Sequence, residues 1–148
     1  MLRLTPEVYR RALDDLAARE TFFARILAQY GPPPLWDRPE GFGTLLHIIL
    51  EQQVSLASAA ACYRKLRERV NPLTPQGFLE LDDAELKLIG FSHQKTAYGR
   101  YLAQALLDKT LDLEALPAME PEQVYNALTS IKGIGRWTSD IYLLMVLQ

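Results

Sequence analysis

The sequence has few of the features that mark a membrane, secreted or cysteine-based metal-binding chain. Cys62 is the one cysteine among 148 residues, so no disulfide framework and no cysteine metal site can form within the chain. The longest apolar run, residues 141–147, is far shorter than the about 18–20 residues of a membrane-spanning helix. The N-terminal residues mix acidic and basic side chains, unlike a signal peptide. These absences predict a chain in the reducing cytoplasm.

An excess of positive charge is also missing. Sixteen basic and 18 acidic residues give a formal net charge of −2, which disfavours a protein that coats nucleic acid by bulk charge. The locally basic stretch, residues 63–69, is interpreted as the solvated face of a helix. Binding of an anion by main-chain N–H groups at one place remains compatible with this balance.

No alternating run of β-branched residues indicates a strand, and helical spacing dominates the chain instead. Thr5 and Pro6 predict the start of a first helix. Ser92 predicts the cap of a long helix that reaches about Asp108, and Glu120 precedes another that reaches about Ser130. The pattern predicts an all-α fold of about eight to ten helices in a single domain over residues 1–148.

Two segments predict the core of this fold. Residues 42–50 are apolar almost all round, which is typical of a central buried helix. Residues 56–70 are rich in alanine, whose small side chain lets two helices approach closely.

The most informative segment is residues 128–138, in which a helix leads through Gly133 and Gly135 into another helix. Two glycines let the backbone turn sharply and approach a partner closely. The turn leads into a helix N-terminus, where unpaired N–H groups and the helix dipole attract an anion such as a DNA phosphate. Ile131 and Ile134 are expected to anchor the turn from below. The alternative is a plain connection between two helices.

Three segments together resemble a known family. Residues 50–55, 90–98 and 131–138 are similar, in this order and spacing along the chain, to the signatures of helix-hairpin-helix base-excision DNA glycosylases. Within that superfamily they resemble the 3-methyladenine DNA glycosylase II, or alkylpurine, branch over about residues 41–147. The resemblance implies a multi-helix HhH-GPD bundle with its helix-hairpin-helix at about residues 122–147. It also implies double-stranded DNA with a damaged base as the partner, and so a nucleoid-associated protein.

The resemblance assigns the hairpin to the DNA backbone. It implies that the amides of Gly133 and Gly135 bind a phosphate near the lesion and that Thr138 also belongs to the DNA-binding set. No organic cofactor is implied. A monovalent cation, Na⁺ or K⁺, is expected to bridge the hairpin and the phosphate through the main-chain carbonyls of Thr129, Ile131 and Ile134.

Other positions are assigned to the flipped base. Gln53 stands where the family has a wedge residue that fills the gap left in the duplex; the alternative is a side chain that only caps a helix end. Trp137 is expected to line the pocket for the extruded base, or else to be core. Gln52 is expected to support local structure, whereas His47 is expected in the core or at its boundary and His93 on the surface.

The resemblance also bears on chemistry. The family's catalytic Asp is expected beyond Gln148, so the chain is expected to lack the C-terminal part of the fold and to be inactive by itself. Asp140 falls one turn into the last helix and is not expected to replace that residue. Bifunctional members have a Lys where this chain has Trp137. Because an indole cannot form an imine, the resemblance implies a monofunctional enzyme that hydrolyses the N-glycosidic bond.

The apolar residues 141–147 are expected to form an exposed stripe that favours self-association. Two other functions remain open at this stage. One is a non-catalytic helix-hairpin-helix module that binds DNA. The other is an all-α interaction scaffold.

Overall fold

The computed structural model describes residues 4–148 as helices and connectors, with no β-strand in that range, so the prediction of an all-α fold is confirmed. The described residues form nine α-helices: α1 Pro6–Arg19, α2 Thr21–Tyr30, α3 Phe42–Glu51, α4 Leu56–Arg69, α5 Pro75–Leu79, α6 Asp83–Ile89, α7 His93–Leu107, α8 Pro121–Thr129 and α9 Arg136–Tyr142. A 3₁₀ turn covers Leu116–Ala118, and a π-helical turn, Leu143–Leu147, continues α9. None of the described helices combines the length and apolar character needed to cross a membrane.

Side-chain caps set several helix ends where the sequence predicts them. The hydroxyl of Thr5 accepts the N–H of Val8 at 3.2 Å at the start of α1. The hydroxyl of Ser92 accepts the N–H of Lys95 at 3.2 Å and begins α7. Each cap satisfies a main-chain donor that the helix itself leaves unpaired. The predicted start of α7, which carries part of the site described below, is therefore confirmed.

The chain folds into two compact units, and the single HhH-GPD-like domain expected from the sequence stays a prediction. One unit ends at Asp37 and includes Gln148; the other runs from Arg38 to Leu147. In the first unit α1 and α2 pack against each other, and neither helix has a buried residue. The second unit contains the other seven α-helices and all the segments on which the family resemblance rests.

Helix α3 is the centre of the second unit, as its apolar composition predicts. It packs against α4, α7 and α9, and Leu45, Leu46, Ile48 and Ile49 are fully buried. Gly99 on α7 allows the close packing of α5 and α7, because a Cβ atom there would lie 2.6 Å from Cζ of Phe78.

The expected exposed stripe at residues 141–147 is wrong. Tyr142, Val146 and Leu147 are buried, and Leu144 is the one residue of this segment classed as exposed, at 51%. The physical reason is that α9 packs directly on α3 and its apolar side chains enter the core of the same unit. The predicted self-association through this segment therefore loses the surface on which it was based.

A matched pair of leucines tests the position of the core. We expect Leu46→Ala to lower the free energy of unfolding by about 2–5 kcal/mol, because it opens a cavity at a fully buried position. Leu88→Ala, at a side chain that is 83% exposed, is expected to change it by less than about 0.5 kcal/mol. Urea unfolding followed by circular dichroism measures both. Similar losses for the two variants would contradict the packing described here.

Candidate nucleic-acid interface

An open cleft of about 680 Å³ lies in the second unit, where the end of α3, the start of α7 and the turn between α8 and α9 meet. Its walls are Gln52 and Gln53 after α3, Gln94, Lys95 and Tyr98 on α7, and residues 133–138 of the hairpin. The cleft thus brings together three segments that are far apart in the sequence. They are the same three segments that carry the family resemblance.

The hairpin turn between α8 and α9 is held by packing from below. Ile131 and Ile134 are buried, which confirms their expected role as anchors. Gly133 has a φ of +99°, a conformation that L side chains rarely adopt. A Cβ atom at Gly133 would lie 2.2 Å from Cγ of Tyr98, so the main chain passes directly over that ring. Position 133 is therefore restricted to glycine both by conformation and by space.

The main-chain donors of the hairpin are unpaired within the protein. Among residues 4–148, neither the N–H of Gly133 nor that of Gly135 donates to a protein acceptor. Gly135 precedes α9 as its N-cap and provides no side-chain cap. Apart from Gly135 itself and its two chain neighbours, no described residue has an atom within 4 Å of the place where a Cβ of Gly135 would stand. The turn therefore presents unsatisfied donors and the N-terminal end of a helix to an open space.

Two of the three carbonyls expected to bind a cation are also unengaged. In the described residues no donor contacts the carbonyl oxygens of Thr129 and Ile134, whereas that of Ile131 accepts the N–H of Ile134 at 3.0 Å. A carbonyl oxygen has two lone pairs, so Ile131 retains one acceptor position. Neutral oxygen ligands of this kind suit a hard cation. The donor set fits the expected Na⁺ or K⁺, whose binding stays a prediction.

Two consecutive glutamines after α3 have different roles. Nε2 of Gln52 donates to the carbonyl of Gly133 and to Oγ1 of Thr138, both at 2.9 Å, which confirms that Gln52 supports local structure. Gln53 has a φ of +56°, uncommon for a residue with a side chain, and is exposed. Its side chain makes no hydrogen bond to the described residues, so it does not cap a helix. Its assignment as a wedge stays a prediction.

Thr138 and Trp137 are adjacent on α9 but differ in exposure. Thr138 is buried and its hydroxyl is engaged by Gln52, so its predicted DNA contact now depends on its main-chain N–H alone. Trp137 is 50% exposed and lines the cleft, so it is not a core residue. The base-stacking role of Trp137 stays a prediction.

Lys95 and Arg136 give the cleft positive charge. The ammonium of Lys95 donates to the carbonyl of Leu50, and partial burial lowers the pKa of this ammonium. Arg136 is exposed at the start of α9 and lies 3.7 Å from Asp140. No carboxylate stands among the described residues that line the cleft, and Asp140 is exposed outside it. The cleft is thus suited to an anion.

Sequence reasoning missed most of the α7 wall. Gln94, Lys95 and Tyr98 line the cleft, although no cleft role was predicted for them from the sequence. Their spacing of one and three positions places them on one face of a helix, and Ser92 marks where that helix begins. The helical spacing could be read from the sequence. The segment that faces these residues across the cleft could not, because it is the hairpin, which lies far along the chain.

A partly buried ion pair holds the end of α3. The guanidinium of Arg38 donates two hydrogen bonds to the carboxylate of Glu51, each of 3.0 Å. His47 stacks on Tyr63, with ring centroids 4.3 Å apart, and burial lowers its pKa despite the nearby Glu51. His47 is therefore a boundary residue and His93 is exposed, as expected.

The two hairpin glycines give a test that separates folding from binding. We expect Gly133→Ala to lower the free energy of unfolding by about 1–3 kcal/mol, because the new methyl group meets the ring of Tyr98 in a left-handed backbone. Gly135→Ala has open space and is expected to stay within about 0.5 kcal/mol. Urea unfolding distinguishes the two. An equal loss at both glycines would contradict the packing of Gly133 on Tyr98.

The comparisons with known proteins agree with this geometry. Residues 46–142 match the HhH-GPD superfamily base excision DNA repair protein family. The chain is 25% identical to DNA-3-methyladenine glycosylase 1 of Schizosaccharomyces pombe over 96% of its own residues and spans 63% of that protein.

Two solved structures are similar to this chain. A DNA-3-methyladenine glycosidase from Bacillus halodurans shares 29% identity, with a TM-score of 0.76 over 97% of this chain and 65% of that one. The Schizosaccharomyces pombe 3-methyladenine DNA glycosylase Mag1, in complex with abasic DNA, has a TM-score of 0.82 at 24% identity over 93% of this chain and 70% of that one. The cleft, the hairpin and the family match agree: the chain belongs to the HhH-GPD superfamily of base excision DNA repair proteins.

Proposed function

We propose that this chain carries the DNA-binding and base-extrusion part of a monofunctional 3-methyladenine, or alkylpurine, DNA N-glycosylase of base excision repair, and that without a catalytic carboxylate it is inactive by itself. The observation that carries the proposal is the pair of unpaired amides at Gly133 and Gly135, which open into a positively charged cleft beside Trp137. Such an arrangement suits a DNA phosphate next to an unstacked base. The similarity to DNA-3-methyladenine glycosylase 1 supports this substrate class.

The first step of the proposed function is attachment to the DNA backbone. The N–H groups of Gly133 and Gly135 donate to a phosphate oxygen, aided by the dipole of α9. A monovalent cation on the carbonyls of Thr129, Ile131 and Ile134 supplies further positive charge on the hairpin side of the phosphate. Local binding of this kind explains how a chain with a net charge of −2 attaches to DNA.

The second step is extrusion of the damaged base, because a glycosidic bond is inaccessible inside the base stack. Gln53 is exposed and free of protein hydrogen bonds, so its amide is available to fill the gap and bond the widowed base. Trp137 is half exposed and lines the cleft. Its electron-rich face attracts the positive charge of an alkylated purine more strongly than a neutral base.

The third step, hydrolysis, needs a carboxylate that stabilises the cationic sugar or activates water. The described residues lining the cleft include none, and Asp140 lies beside Arg136 outside it. We therefore propose that the chain by itself binds damaged DNA without releasing a base. The indole of Trp137 forms no imine with an abasic site, which excludes strand cleavage through that position.

Binding to damaged DNA tests the proposal. We expect the chain to bind a duplex with an abasic-site analogue, with an affinity that falls as salt rises. Gly135→Val should weaken binding at least about tenfold, because the side chain blocks access to the amides and removes charge-assisted hydrogen bonds. Fluorescence anisotropy at several salt concentrations measures both effects.

A size series supplies the control for this experiment. Gly135→Ala should fall between the parent chain and Gly135→Val, since nothing in the protein opposes a side chain there. Unchanged circular dichroism would confirm that all three chains are folded. Equal binding by all three would show that the hairpin amides do not contact DNA, and no binding at low salt would instead favour the interaction scaffold.

Base release separates the enzyme chemistry from binding alone. We expect no release of 3-methyladenine from methylated DNA above background, because none of the described residues that line the cleft is a carboxylate. Chromatography of the released bases measures this, with an active alkylpurine glycosylase as the positive control. Release that disappears in Asp140→Asn would show that Asp140 is the missing carboxylate.

A further inference from the structure

We infer that Gln52 is a positioning residue that couples the hairpin to Gln53, so that binding of the phosphate and filling of the base gap occur as one event. The inference rests on the proposed function and adds a residue to it. It begins from the direction of the two glutamine side chains. Gln52 has an extended ψ of 122° and Gln53 a left-handed φ of +56°, so the first reaches the hairpin while the second stays exposed.

The orientation of the Gln52 amide is fixed by its partners. The carbonyl of Gly133 can only accept a hydrogen bond, so the nitrogen of the amide and not its oxygen must face it. The second N–H of the same nitrogen reaches Oγ1 of Thr138. Both donors of Gln52 are therefore used inside the protein, which leaves the nitrogen no proton for DNA.

These two contacts enclose the phosphate-binding turn. Gly133 lies at its beginning and Thr138 in the first turn of α9, with Gly135 between them. The side-chain amide of Gln52 thus fixes the distance between Gly133 and Thr138, which enclose the segment with the unpaired N–H groups. Donors held in place before binding lose less entropy when an anion arrives.

The other end of Gln52 is equally fixed. Its N–H donates to the carbonyl of Ile49 at 3.3 Å, and the adjacent Glu51 is held by Arg38. The main chain near Gln52 is therefore held in place and does not move to accommodate a shift of the hairpin. Gln52 thus holds the hairpin at a fixed position relative to the next residue, Gln53. A phosphate bound at the hairpin therefore brings the gap in the duplex to a side chain that nothing in the described residues restrains.

A double-mutant cycle tests the inference. Gln52→Met keeps the length of the side chain and removes both hydrogen bonds to the hairpin. We expect it to weaken binding to the abasic-analogue duplex about tenfold. In the Gly135→Val background, where the hairpin no longer contacts the phosphate, the same substitution should have much less effect. Anisotropy at low salt measures the four affinities, and circular dichroism confirms folding.

A matched substitution in the same cleft controls for loss of a glutamine amide. Gln94 bonds to the hydroxyl of Tyr98 and not to the hairpin main chain. Gln94→Met, whatever its own effect, should therefore be additive with Gly135→Val. Additive behaviour of Gln52→Met would overturn the inference while the binding of the parent chain still supports the proposed function. Absence of binding by the parent chain would overturn both.

Insertion of Gln53 into the gap of the duplex can be measured separately. With 2-aminopurine opposite the abasic analogue, insertion of Gln53 should raise the fluorescence at saturating protein, and Gln53→Ala should abolish the rise. We expect Gln52→Met to reduce the rise at saturation as well, a result that lost stability alone does not produce. A fluorescence rise in Gln52→Met as large as that of the parent chain would overturn the inference.

If Gln52→Met fails to fold, nuclear magnetic resonance of the parent chain decides. The side-chain amide of Gln52 and the main-chain amides of Gly133 and Gly135 should shift together as abasic-analogue duplex is added. A Gln52 amide that stays unchanged would overturn the inference.

Discussion

The main chain of Gly133 passes over the ring of Tyr98, and the geometry of the cleft depends on this contact. Because no side chain fits between them, the turn lies directly on α7. Ile131 and Ile134 are buried beneath the same turn and prevent it from rotating. The peptide groups that cannot turn inward are left with unpaired N–H groups at the cleft, and the proposed binding of DNA depends on this property.

The helical class, the central helix and several helix ends could be predicted from the sequence because each depends on nearby residues. Thr5 and Ser92 accept a hydrogen bond from a residue three positions later. The hairpin could be predicted for the same reason, since its glycines and its isoleucine anchors lie within a few residues of one another. In each of these cases all the interacting residues lie within one short segment of the sequence.

The rest of the site depends on partners that no short window contains. Gln52 bonds to Gly133, which lies 81 positions further along the chain, so its supporting role was expected but its partner was not. The α7 wall was missed because its exposed polar face resembles any solvated face until the hairpin packs beside it. The burial of Tyr142 and Leu147 was missed because the sequence of an apolar segment does not show whether it packs into the core of its own domain or stays exposed.

Glycine is required at positions 133 and 135 of the hairpin for different reasons. The space beside Gly135 is empty, so the fold tolerates a side chain there and only a bound partner would exclude it. At Gly133 the protein itself excludes any other residue. During evolutionary drift, a change at position 133 would be selected against through lost stability, whereas position 135 would stay glycine only as long as the chain has a ligand to accommodate.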